Sequence, residues 1–158
     1  MSSYKEIQDA IKTTIDADSY FLGTKATVLT VEVNEREGEL RHKPIYSGFL
    51  YSELPALTIS AIGKESELET VQEIKEDFLI QCRLITRARD EQAGMDTHWL
   101  KVKEIERVLR KQISSADDLG ICGFVTNVNT EHEPTEKDGT YWIIKTLTFL
   151  NVEVIETY

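Results

Sequence analysis

The sequence predicts an α+β fold in which a mostly antiparallel β-sheet packs against two α-helices, in the order α-β-β-β-α-β-β. Two segments carry apolar residues three and four positions apart, which predicts helices, and five segments rich in alternating β-branched residues predict strands. The chain has 158 residues, the size of one domain. We therefore expect a single domain over residues 1–158, with a long loop at about 34–55.

The first helix is predicted from Ser3 to Ile15. Ser3 and Glu6 have the spacing of a capping box, in which each side chain satisfies a free backbone amide at the helix start. The apolar stripe consists of Tyr4, Ile7, Ile11 and Ile15. The first strand is predicted over residues 26–33, where β-branched and polar residues alternate.

The long loop is predicted from its glycines, prolines and mixed charges, which show no helical period. Its aromatic residues Tyr46, Phe49 and Tyr51 either tuck under the domain or dock on a partner. Docking is the hypothesis that invites a test, and the charged Arg41 of the same loop is a further candidate contact.

Two strands follow the loop. The first is predicted to be short, from Ala56 to Ile62, since Pro55 suits the first position of a strand. The second is predicted from Glu73 to Ala88 as a long strand, with one buried face and one partly exposed face.

The second helix is predicted from Asp96 or Thr97 to Ile113, with one of these two polar residues as its N-cap. Its stripe consists of Trp99, Val102, Ile105, Leu109 and Ile113. We expect Trp99 to be a core anchor of this stripe.

A hairpin is predicted to close the fold, with strands over residues 121–129 and 141–155. Asp138 and Gly139 form a turn signal between them. Both faces of the last segment are apolar, which predicts a central strand with a helix on one side and another subunit on the other. Trp142 is the second expected core anchor.

The residues offer little for catalysis, so we expect no catalytic site, no metal, no cofactor and no enzymatic activity. His42, His98 and His132 all fall in segments predicted to be solvated. Glu131, His132 and Glu133 could ligate a divalent ion, but neighbours in an extended turn point in different directions, so an exposed acidic turn is favoured. Motifs for nucleophile elbows, dinucleotides and Walker-type phosphate sites are absent, although a pair of acids could still form a hydrolase site.

The two cysteines, Cys82 and Cys122, lie in apolar segments without metal-type spacing and are expected to be buried thiols. The net charge of −10 argues against nucleic-acid binding. Apolar runs are too short to span a bilayer, so no membrane partner is expected.

Seven basic residues form one stretch: Arg87, Arg89, Lys101, Lys103, Arg107, Arg110 and Lys111. Ion pairs within the chain, such as Glu106 with Arg110, would neutralise this stretch, so the first interpretation is a solvent-exposed surface whose charges pair with one another. Contact with a subunit through Arg107 and Arg110 is the second, and DNA is the third. Glu131 and Glu133 in the hairpin are further candidate contacts.

In the order of these elements, the chain resembles the tail terminator (tail completion) proteins of long-tailed bacteriophages. The resemblance includes the N-terminal helix, the segment LPALTI after a loop, the long strand, the single amphipathic helix and the closing hairpin that ends in FLNVEVIE. The resemblance extends over nearly the whole chain. It consists of the pattern and order of the predicted helices and strands and includes no diagnostic motif.

The resemblance implies a virion structural protein, made in the cytoplasm of a bacterial host and located in the tail. Copies would form a ring, commonly a hexamer, that caps the tail tube, ends its polymerisation and contacts the head-tail connector protein. DNA would pass through the lumen without specific binding. The long loop would face the tube or lumen, and the hairpin tip would be a second contact.

Three alternatives remain open from the sequence. The first is another phage neck or head-completion protein, or the terminator of a contractile injection machine. The second is a small-ligand-binding α+β module with a pocket between helix and sheet. The third is a hydrolase whose site the motifs do not reveal.

Overall fold

The computed structural model describes residues 4–22, 27–31, 55–113 and 123–157. Its elements are α1 (Tyr4–Ala17), α2 (Ser19–Leu22), β1 (Thr27–Val31), β2 (Ala56–Leu68), β3 (Glu73–Ala88), α3 (Glu91–Arg110), β4 (Gly123–His132), β5 (Glu136–Asp138) and β6 (Tyr141–Thr157). None of these described helices is long and apolar enough to cross a membrane.

The strands form one six-stranded sheet in the order β1-β2-β3-β6-β4, with β5 also paired to β6. All pairings are antiparallel except β1 with β2, which run parallel. The predicted α+β class is confirmed, and β6 is central, as its two apolar faces predicted. Gly139 has a positive φ of 62°, which supports the predicted turn between β5 and β6.

One face of the sheet carries the core. Along β3 and β6 the even-numbered side chains point to this face, because side chains alternate along a strand. Its largest fully buried members include Phe78, Ile80, Leu84, Ile59 and Leu57. Both long helices cover it, α1 over β1 and β2 and α3 over β3, β6 and β4. The domain is therefore a two-layer sandwich with one helix-covered face.

Helix α1 packs through the stripe that the sequence predicted, with Ile7, Ile11 and Ile15 fully buried. Beside them, the side-chain Oε1 of buried Gln8 accepts a hydrogen bond of 2.7 Å from the backbone N–H of Ala61. This contact lies where the register of β2 with β3 shifts. The side chain of Gln8 therefore supplies a hydrogen-bond partner to a backbone N–H of β2 beside the shift in register.

Helix α3 begins at Glu91, before the predicted Asp96 or Thr97, and ends at Arg110 rather than Ile113, so both predicted bounds were wrong. Its N-cap is Asp90, whose carboxylate accepts a hydrogen bond of 3.0 Å from the N–H of Ala93. Gly94 allows the close approach of this first turn to β3, because a Cβ there would collide with the Cβ of Ala88. The helix thus continues through a glycine that sequence patterns treat as a weak position.

Trp99 is 49% exposed, so the expectation that it anchors the core was also wrong. The buried stripe of α3 runs instead through His98, Val102, Ile105 and Leu109. Trp142 is half-buried, with the ammonium of Lys137 5.2 Å from its ring centroid.

Strand β2 is longer than predicted and extends to Leu68, paired with β3 as far as Ile74. The long strand β3 has the predicted bounds. Residues 32–54, which include most of the predicted loop, lie outside the described residues, as do Ser3 and Cys122.

Candidate protein interaction surface

The sheet face opposite the helices, here called the open face, is crossed by no described helix or strand. Its central side chains come from four strands: Thr58 of β2, Leu79, Gln81 and Arg83 of β3, Leu147, Phe149 and Asn151 of β6, and Asn127, Asn129 and Glu131 of β4. The members on β2, β3 and β6 are half-buried and those on β4 are exposed. As far as the described residues show, the surface therefore spans four strands and is partly accessible to a partner.

An apolar centre occupies the open face. Leu79 lies opposite Asn151, Phe149 opposite Gln81 and Leu147 opposite Arg83. Phe149 is therefore diagonal to Leu79 across the strand pair and two residues from Leu147 on the same face of β6. Ile155 continues the same side of β6 and is 43% exposed. A partner covering this centre would remove apolar surface from water.

Polar side chains surround that centre. On one side, the Nη2 of Arg83 donates to the Oε1 of Glu133 at 3.0 Å, with both side chains about four-fifths buried. On the other, the Nδ2 of Asn151 donates to the Oδ1 of Asp77 at 3.4 Å. An apolar centre within a polar rim is the usual anatomy of a protein interface.

The open face ends toward the start of β6. Ile85 and Ile143 belong to the same side of the sheet but are 1% and 0% exposed. The accessible part of the open face therefore runs from the paired residues Arg83 and Leu147 towards the C-terminal end of β6.

Strand β4 is the last strand on its side of the sheet among the residues that the structure describes. Within the described ranges, only Ile113 pairs with its outer side, through a single parallel bridge to Val125. The strand contains no proline and no lysine, the residues that commonly discourage an edge from pairing with another chain. Backbone pairing with a neighbour is thus possible along Asn127–Glu131.

The predicted contact residues of α3 are paired within the chain. The guanidinium of Arg107 donates two hydrogen bonds to the carboxylate of Asp18, at 2.7 and 3.2 Å, and one to Glu104 at 2.7 Å. The hydrogen bonds from Arg107 hold the pKa of Asp18 below its ordinary value. Arg110 pairs with Glu106 at 2.8 Å, as the sequence predicted.

The acidic hairpin residues do not converge. Glu131 is exposed opposite Leu147, whereas the Nδ1 of His132 lies 3.2 Å from the hydroxyl of Thr146 on the helix-covered side, and Glu133 binds Arg83. His132 is the last residue of β4 rather than a turn residue. Among the described residues, no three His, Cys, Asp or Glu side chains are grouped as metal ligands.

His98 is fully buried, which contradicts its predicted solvation. Its Nδ1 lies 2.7 Å from the hydroxyl of Thr86 and its Nε2 lies 2.7 Å from that of Thr146, so both ring nitrogens have partners. Burial, together with the smaller effects of the nearby His132 and Lys101, lowers the pKa of His98 to about 4. Burial also raises the pKa of the Cys82 thiol to about 12, which keeps it protonated and unreactive.

The loop candidates Tyr46, Phe49, Tyr51 and Arg41, together with His42, lie outside the described residues. Sequence reasoning did identify the apolar second face of β6 and the partly exposed second face of β3, but it missed the tip of the β2–β3 hairpin. There, Leu68 and Val71 are 66% and 91% exposed. The sequence signal for this tip is limited to Leu68 and Val71 themselves, two isolated apolar residues within a run of charged residues.

No family model matches the chain, and no curated protein matches it. Among solved structures, it is similar to a chain in the virion of a native gene transfer agent particle. That chain has 15% sequence identity and a TM-score of 0.37, and the match covers 93% of this chain and 94% of that one. A likeness this distant assigns neither a fold nor a function to this chain.

Proposed function

We propose that this chain is a structural protein that acts by assembling with copies of itself and with other virion proteins. More specifically, we propose that it forms a hexameric ring that caps the tail tube of a long-tailed phage, ends tube polymerisation and binds the head-tail connector. The proposal rests on the open face, together with the order of elements that resembles tail terminators. The open face suits a neighbouring subunit because its centre is apolar and its rim is polar.

The charge of the chain supports the same proposal. A net charge of −10 gives the surface a field that repels the phosphates of DNA. A ring through which DNA moves without binding benefits from such a field.

The proposal is tested by disturbing the open face without disturbing the core. Phe149→Asp places a charge in the apolar centre, and Asn129→Arg places one at an exposed position of β4 on the same face. Thr13→Asp, at an exposed position of α1, is the matched control. We expect the first two variants to lose rings, and the control to keep them, in sedimentation and negative-stain imaging with and without tail tubes.

Two results would contradict the proposal. If the unmodified protein forms no ring at any concentration, alone or on tubes, the assembly function is wrong. If Asn129→Arg and Phe149→Asp both fold and assemble normally, the open face is not the contact between subunits.

A specific feature favours one alternative, the small-ligand-binding module. A cleft of about 600 Å³ lies between α3 and the end of β3, within the size range of small-molecule sites. Binding of an anionic metabolite to the unmodified monomer, detected by calorimetry, would support that function instead.

A further inference from the structure

The β2–β3 hairpin carries an acidic projection, here called the arm, which comprises residues 64–77. All of its residues from Lys64 to Gln72 are exposed. Its tip is ordered by backbone hydrogen bonds between Glu69 and Glu73 at 3.0 Å and between Thr70 and Glu73 at 3.4 Å. The exposed Leu68 and Val71 lie at this tip.

The arm is strongly negative. Its two lysines, Lys64 and Lys75, are outnumbered by the partly or fully exposed carboxylates of Glu65, Glu67, Glu69, Glu73 and Asp77. A sixth carboxylate, that of Glu76, is buried and pairs with Lys64 at 3.6 Å. An exposed apolar tip among carboxylates fits a partner surface that has a basic rim and an apolar floor.

The cleft at the other end of β3 has those properties. Its cationic lining side chains are Arg87, Arg89 and Lys101, and its one lining carboxylate, that of Asp90, serves as the N-cap of α3. Its apolar and small lining residues are Pro55, Ala88, Ala93 and Gly94. The guanidinium carbons of Arg87 and Arg89 lie 4.8 and 5.5 Å from the ring centroid of Tyr141, which helps to fix both cations at the rim.

The arm and the cleft cannot meet within one copy. They lie at opposite ends of β3, whose 16 residues span about 50 Å at about 3.3 Å per residue. Residues 78–89 contain three arginines and no carboxylate, so the two ends of this hairpin have opposite charge. A contact between two different surfaces of identical chains is heterologous, and repetition of such a contact gives a ring where the rotation between copies closes and a filament where it does not.

We propose that the arm of one copy inserts its tip, with Leu68 and Val71, into the basic cleft of the next copy. The carboxylates Glu67 and Glu69 then face Arg89 and Lys101. This inference rests on the proposed self-assembly and adds to it a second contact between successive subunits, beside the contact proposed for the open face. The contact weakens as salt rises, because its charged part is at the surface.

Charge reversal on each surface tests the contact. The arm variant is Glu67→Lys with Glu69→Lys, and the cleft variant is Arg89→Glu with Lys101→Glu. Two control variants change the net charge equally on the exposed side of α1: Asp9→Lys with Asp16→Lys, and Lys5→Glu with Lys12→Glu. Self-association is measured by sedimentation velocity over a wide range of protein concentration.

We expect each reversed variant to self-associate roughly tenfold more weakly or worse, and the controls to behave as the unmodified protein. The decisive sample is an equimolar mixture of the arm and cleft variants. In that mixture each arm again meets a cleft of opposite charge, so association returns, with the two variants alternating and only even-numbered rings closing.

The alternatives give different results. If both reversed variants associate normally, or if their mixture does not recover, the arm does not bind the cleft, although self-assembly itself stands. If only the cleft variant is impaired, the cleft has another occupant, and the inference is likewise wrong. If the unmodified protein stays monomeric throughout and forms no ring on tail tubes, the proposed function fails as well.

Discussion

His98 should make the stability of this protein depend on pH in the mildly acidic range. The folded protein buries the ring as a neutral group with a pKa of about 4, against an ordinary value of 6.5. Between these two values the unfolded chain binds a proton that the folded chain excludes. The free energy of unfolding contributed by this residue is therefore fully present above about pH 6.5 and is lost progressively as pH falls to about 4.

The size of the effect follows from linkage. Each pH unit in this interval is worth about 1.4 kcal/mol, so the whole interval is worth about 3 kcal/mol, of which about 2 kcal/mol is lost between pH 7 and pH 5. The ring is fully buried, so solvent screening does not reduce this estimate appreciably. Against the 5–15 kcal/mol that stabilises a typical domain, this loss is substantial.

The measurement is chemical denaturation of the unmodified protein and of His98→Gln at pH 7 and pH 5. Glutamine cannot take up the proton. The fall in the free energy of unfolding from pH 7 to pH 5 should therefore be smaller in His98→Gln than in the unmodified protein, by about 2 kcal/mol. At pH 7 the variant should be less stable, because the hydroxyl of Thr86 loses its partner, at about 1–3 kcal/mol for an unsatisfied group, whereas that of Thr146 keeps its contact with His132. Lys103→Gln, at an exposed position of the same helix, is the control. Parallel pH dependences of the unmodified protein and His98→Gln would refute the argument.

Two further predictions concern the loop and the start of α3. Replacing Tyr46, Phe49 and Tyr51 by serine should leave the circular dichroism and the unfolding temperature unchanged but impair ring formation or tail joining. Normal tail joining in a complementation assay would show that the loop is not a contact. Gly94→Ala should lower the free energy of unfolding by about 1–3 kcal/mol, because the added Cβ collides with Ala88; undiminished stability in urea denaturation would contradict the close packing described for this turn.

The strands could be predicted well where their own composition decides them. The alternation of side chains from Glu73 to Ala88 gave the bounds of β3, because burial on one face and partial exposure on the other impose a period of two. The end of β2 could not be found in this way. Its last residues are exposed and, apart from Leu68, polar, and they form a strand because β3 supplies a partner for their backbone.

The start of α3 and the role of His98 were missed for a different reason. His98, Val102, Ile105 and Leu109 have clean helical spacing, but a histidine was treated as a solvated residue. Burial of that ring depends on two threonine hydroxyls from β3 and β6, which lie 12 and 48 residues away in sequence. Sequence patterns do not show whether distant partners will satisfy a polar group. The apolar centre of the open face, by contrast, could be predicted from the alternation along β3 and β6.

The position of β6 beside β3 also determines how the chain must fold. β2 pairs with β3 through a short connection, whereas the contacts of β3 with β6 join residues as far apart as Glu73 and Thr157. Non-local pairing of this kind forms slowly, typically in milliseconds to seconds. Until it forms, one edge of β3 is unpaired and both of its faces carry apolar residues. During that interval β3 is the segment most exposed to aggregation, and a chaperone that binds extended apolar strands would protect it.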